Sequence, residues 1–165
     1  MDLRRFWRHV LMNPVTERRA FPRSTLDAIQ REIAALERTH RGQVLLVVEA
    51  ELTSGQLWRG TGSRERARQV FAQYGAWNTE ENNGILIYLL LADRRVEIVA
   101  DRGIDAKVGA AEWQGVCRMM ERHFRDGRYE EGAVAGVRAV SELLARHFPA
   151  REGGANELPD RPVLI

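Results

Sequence analysis

The 165-residue chain is 44% hydrophobic and 29% charged, the profile of one globular domain with tails and enough apolar content for a core. Its net charge of +2 gives no global nucleic-acid signature, and no nucleic-acid partner is expected. The single Cys117 excludes an intramolecular disulfide and a cysteine zinc cage, and no run approaches the ~20 apolar residues of a membrane span.

The charge is unevenly placed. Residues 1–23 carry Arg4, Arg5, Arg8, Arg18, Arg19 and Arg23 against Asp2 and Glu17, so a basic arm precedes a mildly acidic body. No apolar core of about 7–15 residues follows the first arginines, as a secretory leader requires. The expected location is therefore cytoplasmic, with the inner membrane surface as a peripheral site. Within the arm, Leu3, Phe6, Trp7, Val10 and Leu11 fall at helical spacing, with Arg4, Arg5, Arg8 and His9 on the other face. Residues 1–13 thus form a basic amphipathic helix, ended by Asn13-Pro14. Two readings stand. Arg4, Arg5, Phe6, Trp7 and Arg8 meet an anionic lipid surface, or the helix packs on the domain or on a second subunit.

Residues 15–22 read as a connector. Ser24, with Asp27 three positions on, reads as the cap of a helix whose apolar stripe is Leu26, Ile29, Ile33 and Leu36. Arg41-Gly42 stops it. Residues 43–49 (QVLLVVE) form a buried strand. A glycine-bearing loop over 50–62 follows, with Trp58 set to cover the sheet. Ser63 caps an arginine-rich helix lined by Ala67, Val70, Phe71 and Tyr74 and closed by Gly75. Its Arg64, Arg66 and Arg68 read as a solvated face.

Residues 85–91 are almost continuously apolar, a central strand buried on both faces. Val96, Ile98 and Ala100 then alternate with Glu97, Val99 and Asp101, so 82–105 reads as one β-hairpin. A tight turn at Asp93-Arg94 sets Leu91 opposite Val96 and Leu86 opposite Asp101. That register brings Asn82 and Asn83 to the sheet end that holds Ile104 and Asp105. Strand, helix and central strand form a βαβ unit with parallel strands. Two more helices follow, one marked by Trp113, Val116, Met120 and Phe124, the other by Tyr129, Ala133, Val137, Val140 and Leu144. Gly132 and Gly136 on the second suit tight helix–sheet packing. The fold class is α/β: a mixed central sheet (βαβ plus an antiparallel hairpin) between helical layers, spanning residues 14–149. Residues 150–165 read as a disordered tail.

This order of elements, with Asn83-Gly84, Asp93-Arg94, Asp101-Arg102-Gly103-Ile104-Asp105 and the Phe124, Gly127, Tyr129, Gly132 turn, resembles the TPM-domain family over about residues 20–148. Asp101 and Arg102 stand where the family pattern has glycine and an aromatic. The chain is similar to a short branch of that family, without a signal peptide or a transmembrane segment. The resemblance implies a non-catalytic accessory or scaffold domain for membrane-complex or envelope maintenance, with calcium as a cofactor and a LemA-type membrane protein as a partner. It also leaves open a metal-dependent acid phosphatase and a purely structural interaction domain.

Glu80, Glu81, Asn82, Asn83, Asp101 and Asp105 supply the hard oxygen donors that calcium takes. Glu49, Glu51 and Asp93 form a second cluster, where the parallel strands end and open α/β sheets usually bind ligands. No catalytic residue stands out. His9, His40, His123 and His147 read as surface or capping residues, and Cys117 as core.

Overall fold

The computed structural model describes residues 3–12, 14–151 and 157–165; the Asn13 helix stop lies outside them. A four-stranded mixed sheet in the order β3-β2-β1-β4 organises the chain. β1 (Gln43–Glu49) and β2 (Gly84–Leu90) are central and fully buried. They run parallel, Gln43 beside Gly84 through Glu49 beside Leu90. The continuous apolar runs are required because both faces are covered. Val44, Leu46, Val48, Ile85, Ile87 and Leu89 enter one core layer, and Leu45, Val47, Leu86, Tyr88 and Leu90 the other.

α3 (Arg23–Leu36), α7 (Ala110–Arg125) and α8 (Tyr129–His147) fill the first layer. α4 (Ser54–Trp58) and α5 (Ser63–Gln73) fill the second. The molecule is thus a sheet between two helical layers, with helices α1 (Leu3–Val10) and α2 (Pro14–Ala20) ahead of it.

β2 and β3 (Arg95–Ala100) form the expected antiparallel hairpin, but its register is shifted by two. Leu89 faces Val96 and Leu86 faces Val99. The Leu91 and Ala92 amides bond to Glu49 and Ala50 of the β1 side, so the chain stays with β1 for two residues past β2. Leu91 to Arg94 then turn back, closed by Arg94 N–H to Leu91 O and a φ of +53° at Arg94. A shift of two keeps every side chain on its own face.

Several local expectations are corrected. The connector over 15–22 is mostly α2. Pro22, not Ser24, precedes α3, and no side chain caps it. Gly62 precedes α5, while the Ser63 hydroxyl donates to Glu97 at 2.6 Å. Thr53 and Gln56 make a reciprocal capping box that places α4 inside the 50–62 loop, burying Leu57 and leaving Trp58 exposed. Gly132 and Gly136 face α7 rather than the sheet: a Cβ on Gly136 would lie 2.2 Å from Met120 Sδ.

The tail is also different over its described residues. Leu158 is buried, and β4 (Val163–Leu164) pairs parallel to β1 beside Val47 and Val48. Leu164 packs into the first layer, Val163 and Ile165 into the second. These apolar residues cover an edge that β1 would otherwise leave open.

Candidate functional site

The two sequence clusters lie at opposite ends of the central strands. At the amino end of β2, the hairpin base closes as the register requires: Asp101 N–H donates to Gly84 O at 2.8 Å and Gly103 N–H to Asn82 O at 2.9 Å. Gly103 is needed there, since a Cβ would stand 2.6 Å from Asn82 O and 2.9 Å from Glu81 O.

The six oxygen-bearing residues have separate tasks at this end. Buried Asn83 donates its amide to Arg41 O. Glu81 pairs with Arg41. Exposed Glu80 offers its backbone N–H to Glu157. Asn82, at φ +53°, lies beside Arg102. Asp105 accepts from Trp113 Nε1 at 3.2 Å. Asp101 caps the short helix α6 (Arg102–Asp105) through Oδ1, which accepts from Arg102 N–H at 2.7 Å. Its Oδ2 is buried without a hydrogen-bond partner among the described residues. No three His, Cys, Asp or Glu side chains among the described residues gather as metal ligands.

The carboxyl ends of β1 and β2 are built differently. Glu49, nearly fully buried, accepts from Arg66 Nε at 2.9 and 3.1 Å and from the Tyr88 hydroxyl at 2.5 Å. Arg66 is therefore drawn inward from a helix face that reads as solvated in sequence. Burial first, and the Glu49 bond second, push the Tyr88 hydroxyl pKa far up, so it stays a donor.

Asp93, in the hairpin turn, is the anchor of α1. Arg5 Nε approaches both of its oxygens at 2.9 and 3.2 Å, and Arg5 Nη2 also donates to Thr61 O at 2.9 Å. Arg8 Nη2 lies 3.2 Å from Asp93 Oδ1. His9 Nδ1 accepts from Leu52 N–H at 2.9 Å, and its Nε2 stands 3.2 Å from the same Asp93 oxygen. Because Nδ1 is the acceptor, the ring proton sits on Nε2, facing the carboxylate. Burial pushes the Asp93 carboxyl up, but the His9 and Arg5 bonds and charges outweigh it and hold the pKa down at about 2. Glu51 is exposed and stands apart from this group.

α1 therefore docks by its basic side. His9 is buried, not a surface residue, and Phe6 is half-buried against the second core layer. Leu3, Trp7, Val10 and Leu11 point outward, 65, 54, 48 and 72% exposed. Of the five residues read as membrane-facing, Arg5 and Phe6 are turned to the domain. Trp7, Arg4 and Arg8 remain exposed, Arg8 from the edge of the docked face. This inversion was not visible in sequence, because the partner of Arg5 lies 88 positions away.

Cys117, His40 and His123 each sit in local packing or backbone contacts. Cys117 is half-buried, and burial followed by the Glu97 charge pushes its thiol up to about 11. His40 is buried beside Gly42 O, and burial lowers its pKa to about 4. His123 bonds to the Met119 carbonyl of its own helix.

A three-layer α/β/α sandwich with a basic helix docked over one sheet end and a buried carboxylate at the other is the class of protein that these features define. The TPM domain model matches residues 15–143, and the chain belongs to the TPM domain family. The matched stretch begins after α1. Among solved structures, the BA42 protein of the psychrophilic bacterium Bizionia argentinensis is similar at 25% identity and a TM-score of 0.76, over 86% of this chain and 93% of that one. The N-terminal domain of a protein from P. gingivalis shares the fold at 24% identity and a TM-score of 0.57, over 74% of this chain and 76% of that one. No curated protein matches.

Proposed function

We propose that this TPM domain is a non-catalytic accessory domain that works at an anionic membrane surface, for membrane-complex or envelope maintenance. The observation that carries the reading is the outward stripe of Leu3, Trp7, Val10 and Leu11 on a helix flanked by arginines. Such a helix gains from burying its apolar face at the headgroup boundary and from the negative surface potential. No helix among the described residues is long and apolar enough to cross a membrane, so attachment of this stretch would be peripheral. The test is flotation of the full chain with vesicles of phosphatidylglycerol and phosphatidylcholine in a one-to-two ratio, against phosphatidylcholine alone. Binding to the anionic vesicles that Trp7→Ser with Leu11→Ser abolishes supports the reading. No binding at low salt refutes it. A LemA-type membrane protein, implied by family likeness, is the alternative cover for the stripe; binding to that protein without lipid binding would favour it.

A second reading concerns calcium at the hairpin base. It is supported by Asp101 Oδ2, a buried carboxylate oxygen without a hydrogen-bond partner among the described residues, and by the carbonyls of Glu81 and Asn82, which approach Gly103 two residues further on. Those are donors of the type that calcium takes, but Glu81 is engaged by Arg41, so the set is sparse for 6–8 ligands. Thermal unfolding in EDTA and then in millimolar calcium tests it. Stabilisation that Asp101→Asn removes supports the site, and no shift refutes it. The competing enzyme class, a metal-dependent phosphatase, requires hydrolysis of a generic phosphate ester that Asp101→Ala or Asp105→Ala abolishes.

A further inference from the structure

The α1 helix cannot give both of its faces to one surface while docked. Around the helix, Phe6 adjoins Val10, Leu3 and Trp7 on one apolar arc. Yet Phe6 is half-buried against the domain, and Arg5 is turned inward with only a fifth of its side chain exposed. The docked helix therefore offers lipid an incomplete stripe and holds back one of its arginines. What holds it is a carboxylate. Asp93 presents two oxygens to Arg5 and one to Arg8, the recognition that a lipid phosphate offers to the same guanidinium groups. The site that α1 fills lies where open α/β sheets bind ligands, and it also engages Thr61 O and Leu52 N–H.

Resting on the membrane reading above, we propose that Asp93 is an internal competitor of anionic lipid for α1. Docked, Asp93 holds Arg5 and Arg8 and α1 covers the carboxyl ends of β1 and β2. At an anionic bilayer the phosphate groups take the arginines, Phe6 joins the inserted stripe, and that end of the sheet is uncovered. The helix is then a plug whose removal is coupled to membrane arrival. Each ligand state weakens the other, because Arg5 cannot serve both anions at once.

The experiment compares wild type with Asp93→Asn, a substitution that suits the turn and removes the charge together with one of the two acceptor oxygens. Binding to the one-to-two phosphatidylglycerol and phosphatidylcholine vesicles is measured with unfolding curves as the folding control. The expected result is about tenfold tighter binding by Asp93→Asn, the equivalent of losing two partly exposed ion pairs. Equal affinities overturn the competition while leaving the membrane reading intact. No binding by either protein overturns both. A second measurement needs no variant: hydrogen exchange of the Leu52 amide in wild type, with and without vesicles. Loss of its protection on binding supports release of α1, and unchanged protection in the bound protein refutes it.

Discussion

Glu37 and Asp160 form a half-buried carboxyl pair between the turn after α3 and the segment that leads into β4. Glu37, in the 3-10 turn after α3, stands beside Asp160 and the Val44 backbone, and its Oε1 is buried without a hydrogen-bond partner among the described residues. Two neighbouring carboxyls repel when both are ionised, so one of them favours its protonated form. Burial first, and the Asp160 charge and bond after it, push Glu37 from 4.5 up to about 8. Each tenfold rise in proton affinity is worth about 1.4 kcal/mol, so the full displacement would correspond to about 5 kcal/mol. Glu37 keeps partial solvent contact, and screening reduces this to about 2 kcal/mol.

The sign follows from proton counts. Between pH 4.5 and 8 the folded protein binds the extra proton, so stability falls as pH rises through that window. Glu37→Gln places a neutral donor and acceptor where the protonated acid was and should not titrate. Urea unfolding at pH 4, 7 and 9 is the assay. Wild type and Glu37→Gln should agree most closely at pH 4, below the unfolded value of 4.5. At pH 9 the variant should be the more stable by about 2 kcal/mol, a difference in Tm of about 4–8 °C for a domain of this size. Protection of the Ile165 amide, which donates to Val48 O, should follow the same divergence, since Asp160 lies three residues before β4. Parallel pH profiles for the two proteins would refute the reasoning.

Other substitutions test the rest of the frame. Gly84→Ala puts a Cβ 2.0 Å from Ala76 O; backbone cannot yield cheaply, and chemical denaturation should show a loss of about 1–3 kcal/mol. Glu49→Ala leaves Arg66 and Tyr88 facing each other without their shared acceptor, with an expected cost of about 3–5 kcal/mol by the same assay. The Cys117 thiol, titrating at about 11, should react with iodoacetamide in the native state far more slowly than in urea at pH 8. Asp93 contributes stability that is present above pH 3.8 and lost as pH falls towards about 2, so Asp93→Asn should flatten the acid limb of the unfolding profile.

How much of this was legible in sequence depends on the range of each interaction. β1 and β2 announce themselves because a strand buried on both faces is apolar at nearly every position, as VLLVV and ILIYLL are. The hairpin faces were readable for the same reason, although not its register. That was set by Leu91 and Ala92 bonding to Glu49 and Ala50, contacts that no local pattern encodes. β4 is two residues long, too short for a period. It sits in a stretch whose glycines and prolines argue for a loose tail, and only the apolar Val163, Leu164 and Ile165 hint otherwise.

α1 shows the limit most clearly. Its amphipathic pattern correctly gives a helix with an apolar and a basic side. Pattern alone then leaves the apolar side to packing or to a lipid surface, because burial of apolar area is the driving force in both. The domain reverses this by offering Asp93, a carboxylate largely withdrawn from solvent at one end of the sheet. Docking the apolar side over Asp93 would leave that charge covered and unpaired at a cost of several kcal/mol, more than is gained by turning Leu3 or Leu11 inward at about 1.5–3 kcal/mol for a full burial. The basic side therefore docks and the apolar side is left outward. Such an arrangement is stable only while Asp93 is the best anion within reach, and this makes the helix responsive to a surface that supplies others.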